Sequence, residues 1–118
     1  MQIGDIKQLT LGHRNRLKQR FLDHKESLLD YEILELLLFY AVPRKDVKPL
    51  AKYLVNYFGG LKKVLHAPIS ELNKISGLSK HIIILLKMSV YLSQKTLEYD
   101  IKEKPVAKNW NQILDYCF

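Results

Sequence analysis

Apolar residues recur at every third or fourth position through most of the chain, and no segment sustains the strict alternation of a half-buried strand. The pattern predicts an all-α protein, a compact helical bundle with short connections. After a loose start, Gly12 to Lys25 reads as a first helix with Leu17, Phe21 and Leu22 as its inward stripe. Its other face is strongly basic, with Arg14, Arg16, Lys18, Arg20 and Lys25 opposed only by Asp23. A second helix runs from about Tyr31 to Ala41, where Asp30 can cap the free amides and Glu32 suits the positive end of the dipole. Ile33, Leu34, Leu36, Leu37, Leu38 and Phe39 make it apolar nearly all round, which predicts a central position, and Pro43 stops it.

The third helix is expected to start at Asp46 as its cap, with Pro49 in the first turn, where proline costs little. Val47, Leu50, Ala51, Leu54 and Phe58 keep the spacing of one buried face, Lys48 and Lys52 lie one turn apart on another, and Gly59-Gly60 ends the helix. A short helix, Leu61 to His66, comes next, then a turn of helix over Glu71 to Ile75 with Ser70 as its cap. Ser76-Gly77-Leu78-Ser79 is a tight connection. From Lys80 a long helix runs through Leu92 into the charged stretch Glu98 to Lys104, Pro105 closes it, and Asn109 to Tyr116 suggests a last short helix.

With 118 residues, 47% of them hydrophobic, the chain holds one domain and one modest core. The formal net charge of +7 favours polyanionic partners without naming one. Cys117 is the only cysteine, so no intrachain disulfide forms and a reducing compartment is expected. Met1 to Thr10 lacks the apolar core of a signal peptide, and the longest apolar run, Leu36 to Val42, is far short of a membrane span. These features predict a cytoplasmic protein without a membrane partner.

The informative segment is Ile75-Ser76-Gly77-Leu78-Ser79-Lys80-His81-Ile82-Ile83. A short helix ends, glycine permits positive φ, an apolar residue tucks back, and a new helix starts at once. That arrangement aims unpaired backbone amides outward at a helix N-terminus, where amides and dipole together suit a phosphate oxygen. Lys74, Lys80 and His81 stand nearby. The segment resembles the helix-hairpin-helix DNA-binding motif, apolar-x-Gly-apolar-Gly opening a helix, with Ser79 in place of the second glycine. Serine still offers its amide and caps the helix, although its side chain occupies the point of closest backbone approach. The run from Phe58 to Leu78 is similar to the second half of a tandem pair of such motifs.

A second tight turn, Ala41 to Asp46, carries Arg44 and Lys45 at its tip, and Lys48 and Lys52 follow on one helical face. Between Val42 and Lys63 six basic residues face the single acid Asp46. The combined candidate nucleic-acid contacts are Arg44, Lys45, Lys48, Lys52, Lys74, Gly77, Ser79, Lys80 and His81. Solvated lysine faces and a plain glycine-capped αα-corner are the bland alternatives for the same residues.

Three blocks in order, Gly12-His13-Arg14-Asn15-Arg16-Leu17-Lys18, Asp30 to Leu38, and Pro43 to Ala51, resemble the N-terminal domain of the RadC family of bacterial proteins, historically linked to DNA repair. The resemblance covers nearly the whole chain and implies a tandem helix-hairpin-helix arrangement over residues 1–104. It also implies that 105–118 is the linker and opening remnant of a JAMM-type metalloprotease domain. The chain is therefore expected to be a truncated or split family member, or an isolated piece.

A JAMM zinc site needs a His-x-His pair, a downstream Asp and a Glu to activate water. His13, His24, His66 and His81 are far apart, and each reads as a surface or capping histidine. Asp30, Glu32 and Glu35 read as a cap and helix-surface carboxylates, and Cys117 has no base partner. The expectation is a non-catalytic module without cofactor that binds DNA through backbone contacts. The alternatives are a targeting domain that partners a separate JAMM-domain polypeptide, and a gene fragment without function.

Overall fold

The apolar run from Ile33 to Phe39 organises the molecule. In the computed structural model, which describes residues 3–103, it forms α2, Asp30–Phe39, and Leu34, Leu36, Leu38 and Phe39 are all buried. An apolar helix of this kind can only be satisfied by neighbours on several sides. They come from α1, Ile3–His24, from α3, Lys48–Phe58, from the short α4, Leu61–Leu65, and from the long α6, Lys80–Glu103; the single turn α5, Ile69–Leu72, precedes α6 in the chain. A 3₁₀ turn, Lys25–Ser27, follows α1. Among the described residues there is no strand, and the fold is all-α.

The core joins α2 to Ala51 and Leu54 of α3, Val64 of α4, Leu72 of α5, and Ile82, Ile83 and Leu86 of α6. Only the first half of α6 takes part: Tyr91 to Thr96 are exposed without exception. The connections are set by local chemistry. Gly59, with φ of 90°, takes the left-handed position that ends α3, where both its N–H and that of Gly60 donate to Val55 O. Asp46 does cap α3, but one residue further out than expected. The helix starts at Lys48, whose N–H donates to Asp46 Oδ1 at 3.0 Å.

Several expectations shift. Leu29, not Asp30, is the residue flanking α2; its own N–H donates to Glu32 Oε1 at 3.0 Å, while Asp30 Oδ2 accepts the N–H of Leu61 at the start of α4. Pro68 rather than Ser70 flanks α5, which is displaced toward the N-terminus of the expected turn. The first helix begins at Ile3, well before Gly12, and its expected apolar stripe fails: Leu17 is buried, but Phe21 and Leu22 are exposed. The reason is that α1 docks through polar groups. Arg14, three residues before Leu17 and thus on the same face, turns inward and is 6% exposed. The expected last helix, Asn109 to Tyr116, and the Pro105 stop lie outside the described residues.

Candidate nucleic-acid interface

Two helix–helix turns carry the candidate residues. The first connects α2 to α3. Backbone bonds from Ala41 and Val42 to Leu38 O finish α2, after which Pro43, Arg44, Lys45 and Asp46 are exposed and Val47 returns to the core. No acidic partner meets Arg44 or Lys45 among the described residues. The turn is shaped by Arg14, whose guanidinium lies 4.5 Å from the Phe39 ring and donates to Phe39 O at 3.3 Å, Val42 O at 2.7 Å and Lys45 O at 2.5 Å. These are carbonyls that the end of α2 and the turn leave without helical donors, so the cation supplies both hydrogen bonds and the charge the dipole favours there.

Further along, Lys52 is exposed and its Nζ sits 5.0 Å from the Tyr31 ring, while Lys48 is half-buried and close enough to Glu32 to act on its carboxyl. Burial pushes the Glu32 carboxyl up. The Arg20 hydrogen bond at 2.7 Å, the Leu29 amide and the positive charges of Arg20 and Lys48 outweigh that and hold it below the ordinary carboxylate range.

The second turn connects α5 to α6. Ile75 O accepts the N–H of Leu78, and Gly77 between them has φ of 90°, the left-handed value a type II turn requires at its third position. Ile75 and Leu78 both pack against the core, which holds the turn with Ser76, Gly77 and Ser79 exposed. Ser79 Oγ accepts the N–H of Ile82 at 3.3 Å, the expected cap. No acceptor meets the N–H groups of Ser79, Lys80 and His81 among the described residues, and Lys80 and His81 are exposed. Lys74 is exposed too, but shares its charge with Glu71 at 3.2 Å.

Chemically, each turn is an outward-facing positive site. The first offers flexible side-chain cations on a clamped backbone; the second offers backbone amides at the N-terminus of a 24-residue helix. Among the described residues no three His, Cys, Asp or Glu side chains gather as a metal could require, and no helix is long and apolar enough to cross a membrane.

Two polar interactions run against the sequence reading, and a third, at Lys87, lies outside it. Arg14, expected on a basic surface, is a clamp. Glu35, expected as a surface carboxylate, is 1% exposed, with its Oε2 held by His13 Nε2 at 2.7 Å. Lys87 spends its ammonium on the carbonyls of Leu65 and Ala67, fastening α6 to the end of α4. The signal for Glu35 is present in the sequence: a lone acid inside a helix apolar all round must find a partner. Two tyrosines of α3, Tyr53 and Tyr57, also stand on the surface, a position the sequence reading did not assign them. No family model matches the chain, and no solved structure matches it.

Proposed function

We propose that this chain is a non-catalytic, cytoplasmic nucleic-acid-binding module that holds backbone phosphates with little sequence preference, a RadC-like helix-hairpin-helix domain with a role in DNA repair. The observation that carries the proposal is the second turn. Three main-chain N–H groups without protein acceptors among the described residues belong to the exposed residues Ser79, Lys80 and His81, where a long helix begins. A phosphate is the ligand such a site suits best, because amide donors and helix dipole act on it together. The Arg44–Lys45 turn and Lys52 add a second cluster of charge for backbone contact. Contacts of this kind read little sequence.

The test is fluorescence anisotropy on labelled duplex and branched DNA across a salt series. With about 4–6 phosphates neutralised, log K should fall with log salt at a slope of about −4 to −5, with dissociation constants around 10⁻⁴ to 10⁻⁶ M. Arg44→Glu with Lys45→Glu should weaken binding on every sequence alike. Salt-insensitive binding, or none, sinks the proposal.

A protein-targeting role is the second reading, favoured by Tyr91, Leu92 and Tyr99 standing exposed on the half of α6 that leaves the core. Capture of a JAMM-domain polypeptide that survives high salt would support it over the first.

A further inference from the structure

The outer side of α3 carries a feature that backbone binding does not use. Tyr53 and Tyr57, one helical turn apart, are 50% and 58% exposed, and their rings stack with centroids 5.7 Å apart and planes 22° from parallel. Tyr57 is in turn met edge-on at 4.9 Å by the half-buried Phe58, which ties the pair to the core. Exposed tyrosines on a surface helix are ordinary singly; a braced, mutually stacked pair is a preformed aromatic surface with little side-chain entropy left to lose.

Along this segment of the chain the charge is of one sign; the acids that approach it from α2, Asp30 and Glu32, do so at Leu61 and Lys48. No acidic residue occurs from Val47 to Ser70, whereas Lys48, Lys52, Lys62 and Lys63 all do. At about 100° per residue, Lys48 and Lys52 border the exposed arc of α3 on one edge and Tyr53 and Tyr57 on the other, with Asn56 between. Beyond the end of the helix, the Lys63 side chain folds back along Gly59, its Nζ 3.7 Å from where a β-carbon would stand. A protein partner seated here would have to supply carboxylates around an aromatic centre. A nucleic-acid strand supplies the complementary pair of groups in every residue, a flat base and an anionic phosphate.

We infer that the outer side of α3 is a base-stacking platform, on which an unpaired base of a single-stranded nucleic acid extends the Tyr53–Tyr57 stack while adjoining phosphates lie over Lys52 and Lys63. The inference rests on the proposed nucleic-acid binding and names its substrate class: strands with unpaired bases, in preference to uninterrupted duplex, whose bases present no free face.

The experiment compares a labelled oligothymidylate with a blunt duplex of equal length, by anisotropy at several salt concentrations. Tyr53→Ala/Tyr57→Ala is compared with Tyr53→Phe/Tyr57→Phe and with Lys52→Gln/Lys63→Gln, each confirmed folded by circular dichroism. Both tyrosines are exposed, so the alanine variant should fold. The expected result is an affinity reduced about ten-fold or more for the single strand in the alanine variant, at an unchanged salt slope, with the phenylalanine variant close to wild type. The lysine variant should instead flatten the slope by about 0.7 for each phosphate it no longer neutralises. Single-strand affinity within two-fold of wild type in the alanine variant overturns the platform, as does an equal reduction on duplex. Salt-resistant binding of an acidic peptide at these tyrosines, without nucleic-acid binding, assigns the surface to protein and also overturns it. If the wild type binds neither nucleic acid, the backbone-binding proposal falls with the platform; if it binds both and the alanine variant binds as the wild type does, the platform alone falls.

Discussion

Removing the Arg14 guanidinium should damage this protein more than removing any of the exposed cations. Arg14→Met keeps the aliphatic stem and deletes three hydrogen bonds, to Phe39 O, Val42 O and Lys45 O, and the stacking on Phe39. A hydrogen bond from a charged donor is worth about 1.5–3 kcal/mol, but acceptors that can reach water recover part of that. Lys45 is exposed and Val42 half-buried, so their carbonyls rehydrate; the Phe39 carbonyl, in a buried residue, does so least. The cation on the Phe39 ring adds about 0.5–2 kcal/mol. Against this stands the cost of keeping a positive charge at 6% exposure with no carboxylate beside it, a cost the methionine no longer bears. The balance comes to a destabilisation of about 2–4 kcal/mol, a large share of the roughly 5–15 kcal/mol that holds a domain together. For about 100 residues this lowers Tm by roughly 10–30 °C. Urea denaturation followed by circular dichroism measures it, and amide exchange should localise the first opening to residues 42–47. Arg14→Lys should fall between, because a single ammonium cannot reproduce the planar fork. A destabilisation below about 1 kcal/mol in Arg14→Met would refute the clamp and return Arg14 to the surface.

Two other perturbations test the local chemistry. Gly77 has φ of 90° and a β-carbon there would meet nothing within 4 Å, so Gly77→Val should cost about 1–3 kcal/mol through backbone strain alone, with Gly77→Asn clearly milder in the same urea assay. A neutral Gly77→Val would mean that the turn readily takes another shape. Glu32, held below the ordinary carboxylate range by Arg20 and its neighbours, contributes stability that is present above the ordinary carboxylate value and is lost as pH falls through the lowered one. Arg20→Met should therefore cost up to about 1 kcal/mol at neutral pH, and its difference from wild type should shrink on acidification below the ordinary range; a difference that grows there contradicts the sign.

The elements legible in the sequence are those governed by nearest neighbours. Gly59 fixes the end of α3 through its own φ, Asp46 caps it within two residues, and Ser79 and Gly77 define the start of α6 without help from elsewhere. The second helix is legible because a helix apolar all round has one place to go. The first is not. Apolar periodicity is informative when apolar packing decides which face turns inward, and for α1 it does not: Arg14, His13 and Arg20 bind partners in α2 or the turn beyond it, leaving Phe21 and Leu22 in solvent. A pattern read as hydrophobic cannot show a docking surface made of carbonyls and carboxylates more than ten residues away.

The same distinction governs the candidate site. A net charge of +7 is a sum over the chain, and it says nothing about which cations face outward. Folding withdraws several: Arg14 and Lys87 onto main-chain carbonyls, Arg20 onto Glu32, Lys74 toward Glu71. Arg44, Lys45, Lys52 and Lys80 keep their charge facing water with no acidic partner among the described residues. A polyanion responds to that remainder. The Tyr53–Tyr57 spacing is equally plain on paper, yet the buried set Ala51, Leu54 and Val47 is what turns both rings outward, and Phe58 is what braces them. Charge and aromatic residues can be counted in one dimension; whether they form a surface depends on which of their neighbours the core has already claimed.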